Sequence, residues 1–221
     1  HSMKRIFEEF VEKTSKIVSF SGKTVLEIGC GTGNYSRQIA KIATSLVSID
    51  PDMQSIEEAK RQSPEKNITY AVGTATNLDS KSNVFDIVIF TLSLHHIPPN
   101  QMEIAIREAV RVVKETGYIV FLEPDMLGTF FDAEILFDAC DGDERNEKKL
   151  AQRAIAKSST LKKITEIEDK TVFTFISAED FTETLKPKIN IEKLTGFLNQ
   201  HNMTLEAQRK ITICKPNKID S

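Results

Sequence analysis

Residues 25–34 read VLEIGCGTGN, and this stretch decides the fold. A short apolar run with the character of a buried strand leads into a turn that has glycine at three alternate positions, and a segment of helical periodicity follows. Glycine adopts positive φ at little cost, and its lack of a Cβ lets a ligand lie directly against the peptide plane. The stretch therefore predicts a ligand-binding turn at the edge of a parallel sheet. Taken alone, it is also compatible with a tight turn that binds nothing.

The chain from residue 23 to about 125 alternates short apolar, β-branched runs with segments in which apolar residues recur three or four positions apart. This is the pattern of βαβ units around a parallel sheet. Strands are predicted at 24–28, 45–49, 68–72, 85–91 and 118–122. Helices are predicted at 35–42, 53–62 and 101–114. Asp52 and Asn100 are expected to cap the second and third helices, and Gly117 to stop the third.

The flanking segments complete a single domain over residues 3–221. An N-terminal helix is expected within 3–20, and residues 126–170 are expected to form a helical insertion over the acceptor site. A capped helix is expected at 177–185. Residues 188–194 and 205–215 are predicted to form a hairpin. The fold class is α/β, Rossmann-like and doubly wound, with a mostly parallel seven-stranded sheet, a C-terminal antiparallel hairpin and that insertion.

Composition excludes several classes of partner and location. The net charge of -3 gives no global positive field for a nucleic acid or an anionic bilayer, so no nucleic-acid partner is expected. No apolar run reaches the roughly 18 residues of a membrane span, and the N-terminus lacks the apolar stretch of a signal peptide. Three widely spaced cysteines suggest neither a disulfide framework nor a zinc cage, which favours the cytoplasm. His1 and Ser2 are interpreted as tag remnants.

The spacing of glycines and acids indicates which kind of nucleotide the glycine-rich turn would bind. Asp50 ends the second predicted strand 17 residues beyond Gly33, where its carboxylate can accept hydrogen bonds from both hydroxyls of a ribose. Helix capping is the alternative for Asp50, but Asp52 is better placed for that. The dinucleotide fingerprint GxGxxG fails, because its third glycine would fall at Asn34 or Ser36. Glu27 is unsuited to a pyrophosphate and suited to an α-amino group. These features disfavour an NAD(P)-dependent oxidoreductase.

Five segments together resemble the motifs of class I S-adenosylmethionine-dependent methyltransferases. They are residues 25–33, 50–60, 85–97, 117–125 and 177–181. The LHHI sequence at 94–97 is similar to the small-molecule branch that includes the ubiquinone and menaquinone biosynthesis methyltransferases. The resemblance covers residues 20–125 well and the C-terminal fifty residues loosely. It implies S-adenosyl-L-methionine as cofactor, S-adenosyl-L-homocysteine as product and a small-molecule methyl acceptor.

The resemblance also implies a set of cofactor-binding residues. Gly29, Gly31 and Gly33 would pass beneath the cofactor, and Glu27 would lie near its methionine portion. Asp50 would hold the ribose. The adenine would lie between Pro51 and Met53, with Ala75 contributing its backbone. Thr74 stands where many relatives have an acid, so it offers a hydroxyl instead. Leu94 and His95 would line the methionine end.

Methyl transfer from a sulfonium is an in-line displacement, and positioning of the reactants supplies about 7–11 kcal/mol of barrier lowering. His95 and His96 are the candidate general bases, because imidazole titrates near neutrality and both follow the fourth predicted strand. Bonding to the backbone or packing on the cofactor is the alternative for both. Glu123 and Asp125 end the fifth predicted strand, at the same edge of the sheet as the histidines. Helix capping is the alternative to a catalytic role for these two acids. No metal site is expected, because adjacent histidines rarely bind one ion and no third ligand is evident.

The acceptor is expected beneath the N-terminal helix and the 126–170 insertion. Apolar walls would come from Phe130, Phe131, Leu136 and Phe137, which are equally suited to a plain core. An RNA or protein methyltransferase is an alternative, although the segment after the fourth strand lacks the Asn/Asp-Pro-Pro-Tyr pattern of nucleic-acid enzymes. A second alternative is a non-catalytic interaction module with the same fold. The sequence carries no indication of oligomeric state.

Overall fold

The computed structural model of the protein describes residues 3–218, so His1 and Ser2 lie outside it. Within this described range, eight strands form one sheet in the order β1-β7-β8-β6-β5-β2-β3-β4. The strands are Lys4–Glu8 (β1), Thr24–Ile28 (β2), Ser45–Asp50 (β3), Ile68–Val72 (β4), Phe85–Thr91 (β5), Val113–Pro124 (β6), Leu161–Thr174 (β7) and Thr204–Pro216 (β8).

Among the residues that the structure describes, eight α-helices connect and cover these strands. They are Phe10–Ser15 (α1), Asn34–Ala40 (α2), Met53–Gln62 (α3), Met102–Val112 (α4), Thr129–Phe137 (α5), Arg145–Lys157 (α6), Ala178–Leu185 (α7) and Leu194–Gln200 (α8). Short 3-10 helices lie at Leu94–His96, Pro99–Gln101 and Ile191–Lys193. Within residues 3–218, none of the helices combines the length and apolarity that crossing a bilayer requires.

The centre of the sheet confirms the predicted Rossmann-like, doubly wound architecture. Strands β6, β5, β2, β3 and β4 run parallel to one another, and the strands predicted from apolar runs form this part of the sheet. Both faces of the central strands are buried, as expected where helices cover a parallel sheet on two sides. On β2, for example, Val25 packs in the layer with α1 and α2, whereas Leu26 packs in the layer with α4 and α6.

The N-terminal segment differs from its prediction. Residues 3–20 are not one helix, because β1 pairs antiparallel with β7 at the edge of the sheet before the short helix α1 begins at Phe10. This strand adds the eighth member to the expected seven. The side-chain pattern of Ile6, Phe7 and Phe10 suits a helix, but pairing with β7 satisfies the backbone groups of β1 and overrides that preference.

The C-terminal half corrects two further predictions. Residues 126–170 are helical only as far as α6, because β7 begins at Leu161. The antiparallel hairpin predicted between 188–194 and 205–215 is wrong in its first strand, since β8 pairs with β7 instead. Residues 188–194 form a loop, a 3-10 turn and the start of α8, and Asn190 there has φ of 56°, which interrupts an extended strand.

Two helix caps are confirmed and two boundaries are wrong. Asp52 accepts a hydrogen bond from the Ser55 amide at the start of α3, and Ser177 accepts one from the Asp180 amide at the start of α7. Asn100 caps no helix, because it lies within the 3-10 turn that precedes α4. Gly117 lies in β6 rather than after α4, and a Cβ there would overlap the carbonyl oxygen of Asp86 on the neighbouring strand.

Candidate functional site

The glycine-rich turn forms the floor of a large cavity at the carboxyl ends of β2, β3 and β5. Gly29 and Gly31 both have positive φ and both line this cavity. A Cβ on Gly29 would overlap the Ser93 side chain, so the turn and the segment after β5 approach each other only because Gly29 has none. A Cβ on Gly31 would meet no protein atom within 4 Å. Gly31 therefore leaves open space where a ligand can lie against the backbone.

Gly33 does not line this cavity. It is the residue before α2, has φ of 89°, and a Cβ there would crowd the Tyr70 hydroxyl and the Arg37 side chain. Its role in the structure is to let α2 pack closely against β4.

Glu27 lies below the turn and is fully buried. Its carboxylate accepts hydrogen bonds from Ser48 on β3 and Thr91 on β5, each at 2.8 Å, and from Ser36 on α2. Burial raises the pKa of Glu27, although these three hydroxyls oppose the effect. Thr91 Oγ1 also lies 3.2 Å from the carbonyl oxygen of Gly29. Glu27 therefore holds the strand ends and the turn together from beneath.

Asp50 occupies the tip of β3 on the wall of the cavity. Its Oδ2 accepts the Gly31 amide at 2.9 Å and its Oδ1 accepts the Asp52 amide at 2.9 Å. Each carboxylate oxygen retains a second lone pair for a ligand. Asp50 thus fixes the turn and presents acceptor atoms beside the open space at Gly31.

The cavity has a volume of about 740 Å³, within the usual range for small-molecule sites. Pro51, Thr74 and Ala75 contribute to its wall, as the resemblance implied. Met53 and Leu94 do not, because the side chain of Met53 points to solvent and Leu94 is fully buried in the core. Ten wall residues were not among the predicted site residues, and they are Arg5, Ile28, Gly73, Thr76, Leu92, Ser93, Ile97, Pro98, Gln101 and Asp141.

A second cavity of about 230 Å³ adjoins the first. The two share four wall residues, which are Arg5, Leu92, His96 and Asp141. Phe130, Phe131 and Phe173 give the second cavity aromatic walls, and the same rings belong to a buried cluster with Phe137. The phenylalanines of the insertion therefore serve as core, and two of them as cavity wall as well.

Leu92 marks the boundary between the cavities. It follows β5 with φ of 56°, a left-handed conformation that is unfavourable for a bulky residue, and its amide donates to the Leu122 carbonyl at 2.8 Å. Strain of this kind, about 1–3 kcal/mol, collects at ligand-binding sites. The backbone turn at Leu92 directs the following 3-10 helix, with both histidines, toward the second cavity.

The two histidines lie side by side on that 3-10 helix, with ring centroids 4.0 Å apart. His95 is only 4 % exposed, and its Nδ1 lies 3.2 Å from Glu123 Oε1 on β6. His96 is half-exposed and lies on the walls of both cavities. Asp125, the other acid at this strand end, accepts the neighbouring Met126 amide at 2.8 Å, so of the two only Glu123 contacts a histidine.

Glu144, just before α6, joins this group from the insertion. One carboxylate oxygen lies 3.6 Å from His95 Nε2 and the other lies 3.4 Å from His96 Nδ1. Burial disfavours the charged form of His95, but Glu123 and Glu144 outweigh it and raise the pKa of His95 to about 9. Partial burial would likewise raise the pKa of Glu144, but the two histidines outweigh it and lower that pKa to about 2.

Comparison with known proteins places this site in context. A family model described as a methyltransferase domain matches residues 26–121. An uncharacterized methyltransferase of Oceanobacillus iheyensis is 30% identical over 117 residues, which are 53% of this chain and 54% of that protein. The demethylmenaquinone methyltransferase of Renibacterium salmoninarum is 31% identical over 102 residues, which are 46% of this chain and 41% of that protein. The match thus spans about half the length of these curated relatives.

The fold is shared along nearly the whole chain. The solved structure of the N-methyltransferase NodS from Bradyrhizobium japonicum, a complex with S-adenosyl-L-homocysteine, aligns with a TM-score of 0.57 at 15% identity. That alignment covers 97% of this chain and 90% of the other. At this identity the likeness establishes the architecture, which agrees with the doubly wound sheet.

Proposed function

We propose that this chain, whose residues 26–121 match a methyltransferase domain, is a class I S-adenosylmethionine-dependent methyltransferase that transfers a methyl group from S-adenosyl-L-methionine to a small-molecule acceptor. The observation that carries the proposal is the open space at Gly31, which faces no protein atom within 4 Å and lies beside the carboxylate of Asp50. A bare peptide plane next to a carboxylate at the strand ends suits an adenosyl ligand.

The residues of the large cavity fit the cofactor. Asp50 would accept hydrogen bonds from the ribose hydroxyls, and Pro51, Thr74 and Ala75 would surround the adenine. Met53 and Leu94 are not part of this assignment, because neither lies on the cavity wall. Glu27 acts through the turn that it holds rather than by touching the ligand.

The second cavity is the proposed acceptor site. It adjoins the large cavity, and its aromatic walls and small volume favour a compact, apolar acceptor over a polymer. Arg5 and Leu92, which border both cavities, would separate acceptor and cofactor except at the point of transfer. A protein whose three cysteines are all unpaired suits a reducing compartment, and we place it in the cytosol as part of this proposal.

The cofactor, when bound, supplies a sulfonium-linked methyl group and leaves as a neutral thioether. The chain's own residues align the two reactants and keep water away, which accounts for most of what such a displacement needs. Of the two histidines, His96 is the one proposed to contact the acceptor, because it borders both cavities. His95 is held between Glu123 and Glu144 and is proposed to position the acceptor site.

Calorimetric titration with S-adenosyl-L-homocysteine tests the proposal. The wild-type protein should bind, and Gly31→Ala should weaken binding by about tenfold or more, equivalent to about 1.4 kcal/mol, because its methyl group occupies the ligand space. Gly22→Ala is the matched control: Gly22 also has positive φ and no protein atom within 4 Å of an added Cβ, but it does not line either cavity.

Wild-type protein that fails to bind S-adenosyl-L-homocysteine, or equal losses in the two alanine variants, would overturn the cofactor assignment. Transfer of labelled methyl from S-adenosyl-L-methionine to compounds in a metabolite mixture would then identify the acceptor class. Labelling of RNA or protein alone would contradict the small-molecule part of the proposal.

A further inference from the structure

We propose that His95, His96 and Glu144 bind a divalent transition-metal ion, with zinc the best match, on the wall between the two cavities. One ring nitrogen of each histidine and one carboxylate oxygen of Glu144 lie within 4.8 Å of one another. Imidazole nitrogens combined with one carboxylate are a donor set that zinc prefers. The expectation of no metal site depended in part on the lack of an evident third ligand, and the structure places Glu144 beside both histidines.

Two nitrogen-to-oxygen separations, each to a different carboxylate oxygen of Glu144, are close to those around a bound ion. Ligand bonds to zinc are about 2.0–2.1 Å, so neighbouring ligand atoms of a tetrahedral site are roughly 3.3 Å apart. Glu144 lies 3.4 Å from His96 Nδ1 and 3.6 Å from His95 Nε2. Both distances are longer than the ordinary range of about 2.7–3.2 Å for a nitrogen-to-oxygen hydrogen bond. The three side chains are therefore gathered without being bonded tightly to one another.

Glu123 orients the first ligand. It lies 3.2 Å from His95 Nδ1 and also accepts the His95 backbone amide at 3.0 Å, and it is almost completely buried. A histidine that binds a metal through one nitrogen commonly donates its other N–H to a carboxylate, which fixes the ring and makes it a better ligand. With Nδ1 held by Glu123, Nε2 is the nitrogen that faces Glu144.

Neighbouring histidines can share this ion because of the local backbone. On the 3-10 helix Leu94–His96 the two rings lie side by side, tilted by 39°. Both therefore reach the same carboxylate, although adjacent residues on a strand would point to opposite faces of a sheet.

Three protein ligands leave a fourth coordination position, which is the arrangement of reactive rather than purely structural zinc sites. All three side chains line the second cavity, so the fourth position is available from the acceptor side. A hydroxyl bound there would lose its proton to solvent more readily, and its oxygen would form the new C–O bond as the C–S bond of the sulfonium breaks. This consequence, an oxygen acceptor, rests on the proposed function, whereas ion binding does not.

Metal titration of the purified, chelator-treated protein tests the site directly. Zn²⁺ affinity is measured by competition with a chromophoric chelator, and Co²⁺ binding is followed by its visible absorption, which is strong in tetrahedral sites. The wild-type protein should bind one ion. Glu144→Gln should weaken Zn²⁺ binding by about tenfold or more, and Glu123→Gln by about 10–100-fold through loss of ring orientation.

Cys140→Ser is the control, because Glu134, Cys140 and Asp141 form another group of donor atoms within 4.8 Å. It should leave the Zn²⁺ affinity unchanged. The proposal is overturned if the wild type binds no ion, if Glu144→Gln binds as tightly as the wild type, or if Cys140→Ser abolishes binding. Titration with S-adenosyl-L-homocysteine keeps the two proposals apart. Unchanged cofactor binding by Glu144→Gln shows that this variant is folded. Absence of cofactor binding by the wild-type protein counts against the cofactor proposal alone.

Discussion

Asp50 and Asp52 lie two residues apart and have different structural roles. Asp50 accepts amide hydrogen bonds from Gly31 and Asp52 at the cavity wall, whereas Asp52 caps α3 through Ser55. One acid therefore lies on the wall of the proposed ligand cavity and the other stabilises a helix. This division gives a pair of variants in which a change in binding can be separated from a change in folding.

Asp50→Ala is expected to weaken S-adenosyl-L-homocysteine binding by about 1–3 kcal/mol, because it removes hydrogen bonds to a charged group. Asp52→Ala is expected to lower the free energy of unfolding by about 0.5–2 kcal/mol through loss of the cap, with the dissociation constant unchanged. Calorimetry and urea unfolding measure the two quantities. Equal dissociation constants for Asp50→Ala and the wild type would refute the role given to Asp50.

The sequence located those parts of the site that are local to a strand end. Gly31, Asp50 and Pro51 follow directly from a strand, a turn and the next strand, so their positions could be predicted. Arg5 and Glu144 could not, because each comes from a distant segment whose approach depends on tertiary packing. Polar residues in a charged stretch such as 141–149 carry no periodic signal that indicates which of them faces inward.

At the scale of elements, α5 carries a buried acid on its inner face. Glu134 is 5 % exposed, lines the second cavity and accepts the Asp141 amide at 3.3 Å. Burial raises the pKa of Glu134 to about 7, although nearby Lys148 opposes the effect. The folded protein therefore holds a proton on Glu134 at pH values where the unfolded chain has released it.

This difference makes stability depend on pH. Because the folded-state pKa is the higher one, the stabilising contribution is complete below about pH 4.5 and is lost as pH rises through 7. Glu134→Gln should reduce the loss of unfolding free energy with rising pH by roughly 1–3 kcal/mol, since glutamine keeps the shape of the side chain and does not ionise. Urea unfolding at intervals from pH 5 to pH 8 measures the slope. Glu12→Gln, at an exposed acid on α1, is the control, and a slope for Glu134→Gln equal to the wild type would contradict the prediction.

The strands differed in how clearly their sequence predicted them. Strands β2, β3 and β5 are largely buried on both faces, so their apolar runs predicted them directly. Strand β7 has lysine and glutamate along much of its length because one face is exposed, and it was assigned to the insertion. Strand β1 exists only because β7 offers an edge on which to pair. Both were missed since their conformation depends on a partner remote in sequence.

Across the whole molecule, a buried arginine ties the sheet edge to the ligand-binding turn. Arg209 on β8 pairs with Asp169 on β7 at 2.6 Å, with Glu8 on β1, and with the Tyr35 hydroxyl on α2. Arg209 is 2 % exposed, so its charge depends on these partners. The network links the N-terminal strand, the antiparallel strands and the helix that follows the glycine-rich turn.

Arg209→Ala should lower the free energy of unfolding by about 3–5 kcal/mol, because the buried Asp169 and Glu8 carboxylates lose their main counterion. Arg61→Ala, which removes an exposed partner of Glu58 on α3, should change it by less than about 1 kcal/mol. Urea unfolding of both variants gives the comparison. Similar losses in the two would show that the network contributes no more than a surface pair.

Leu92 has a consequence for protein engineering. Its left-handed backbone costs stability, and glycine at that position would relieve the strain. Leu92 also packs against the apolar layer that includes Val120 and Leu122, so Leu92→Gly would exchange relief of that strain for lost packing. The same change would remove the side chain that lies between the two cavities, merging them and opening their junction to solvent.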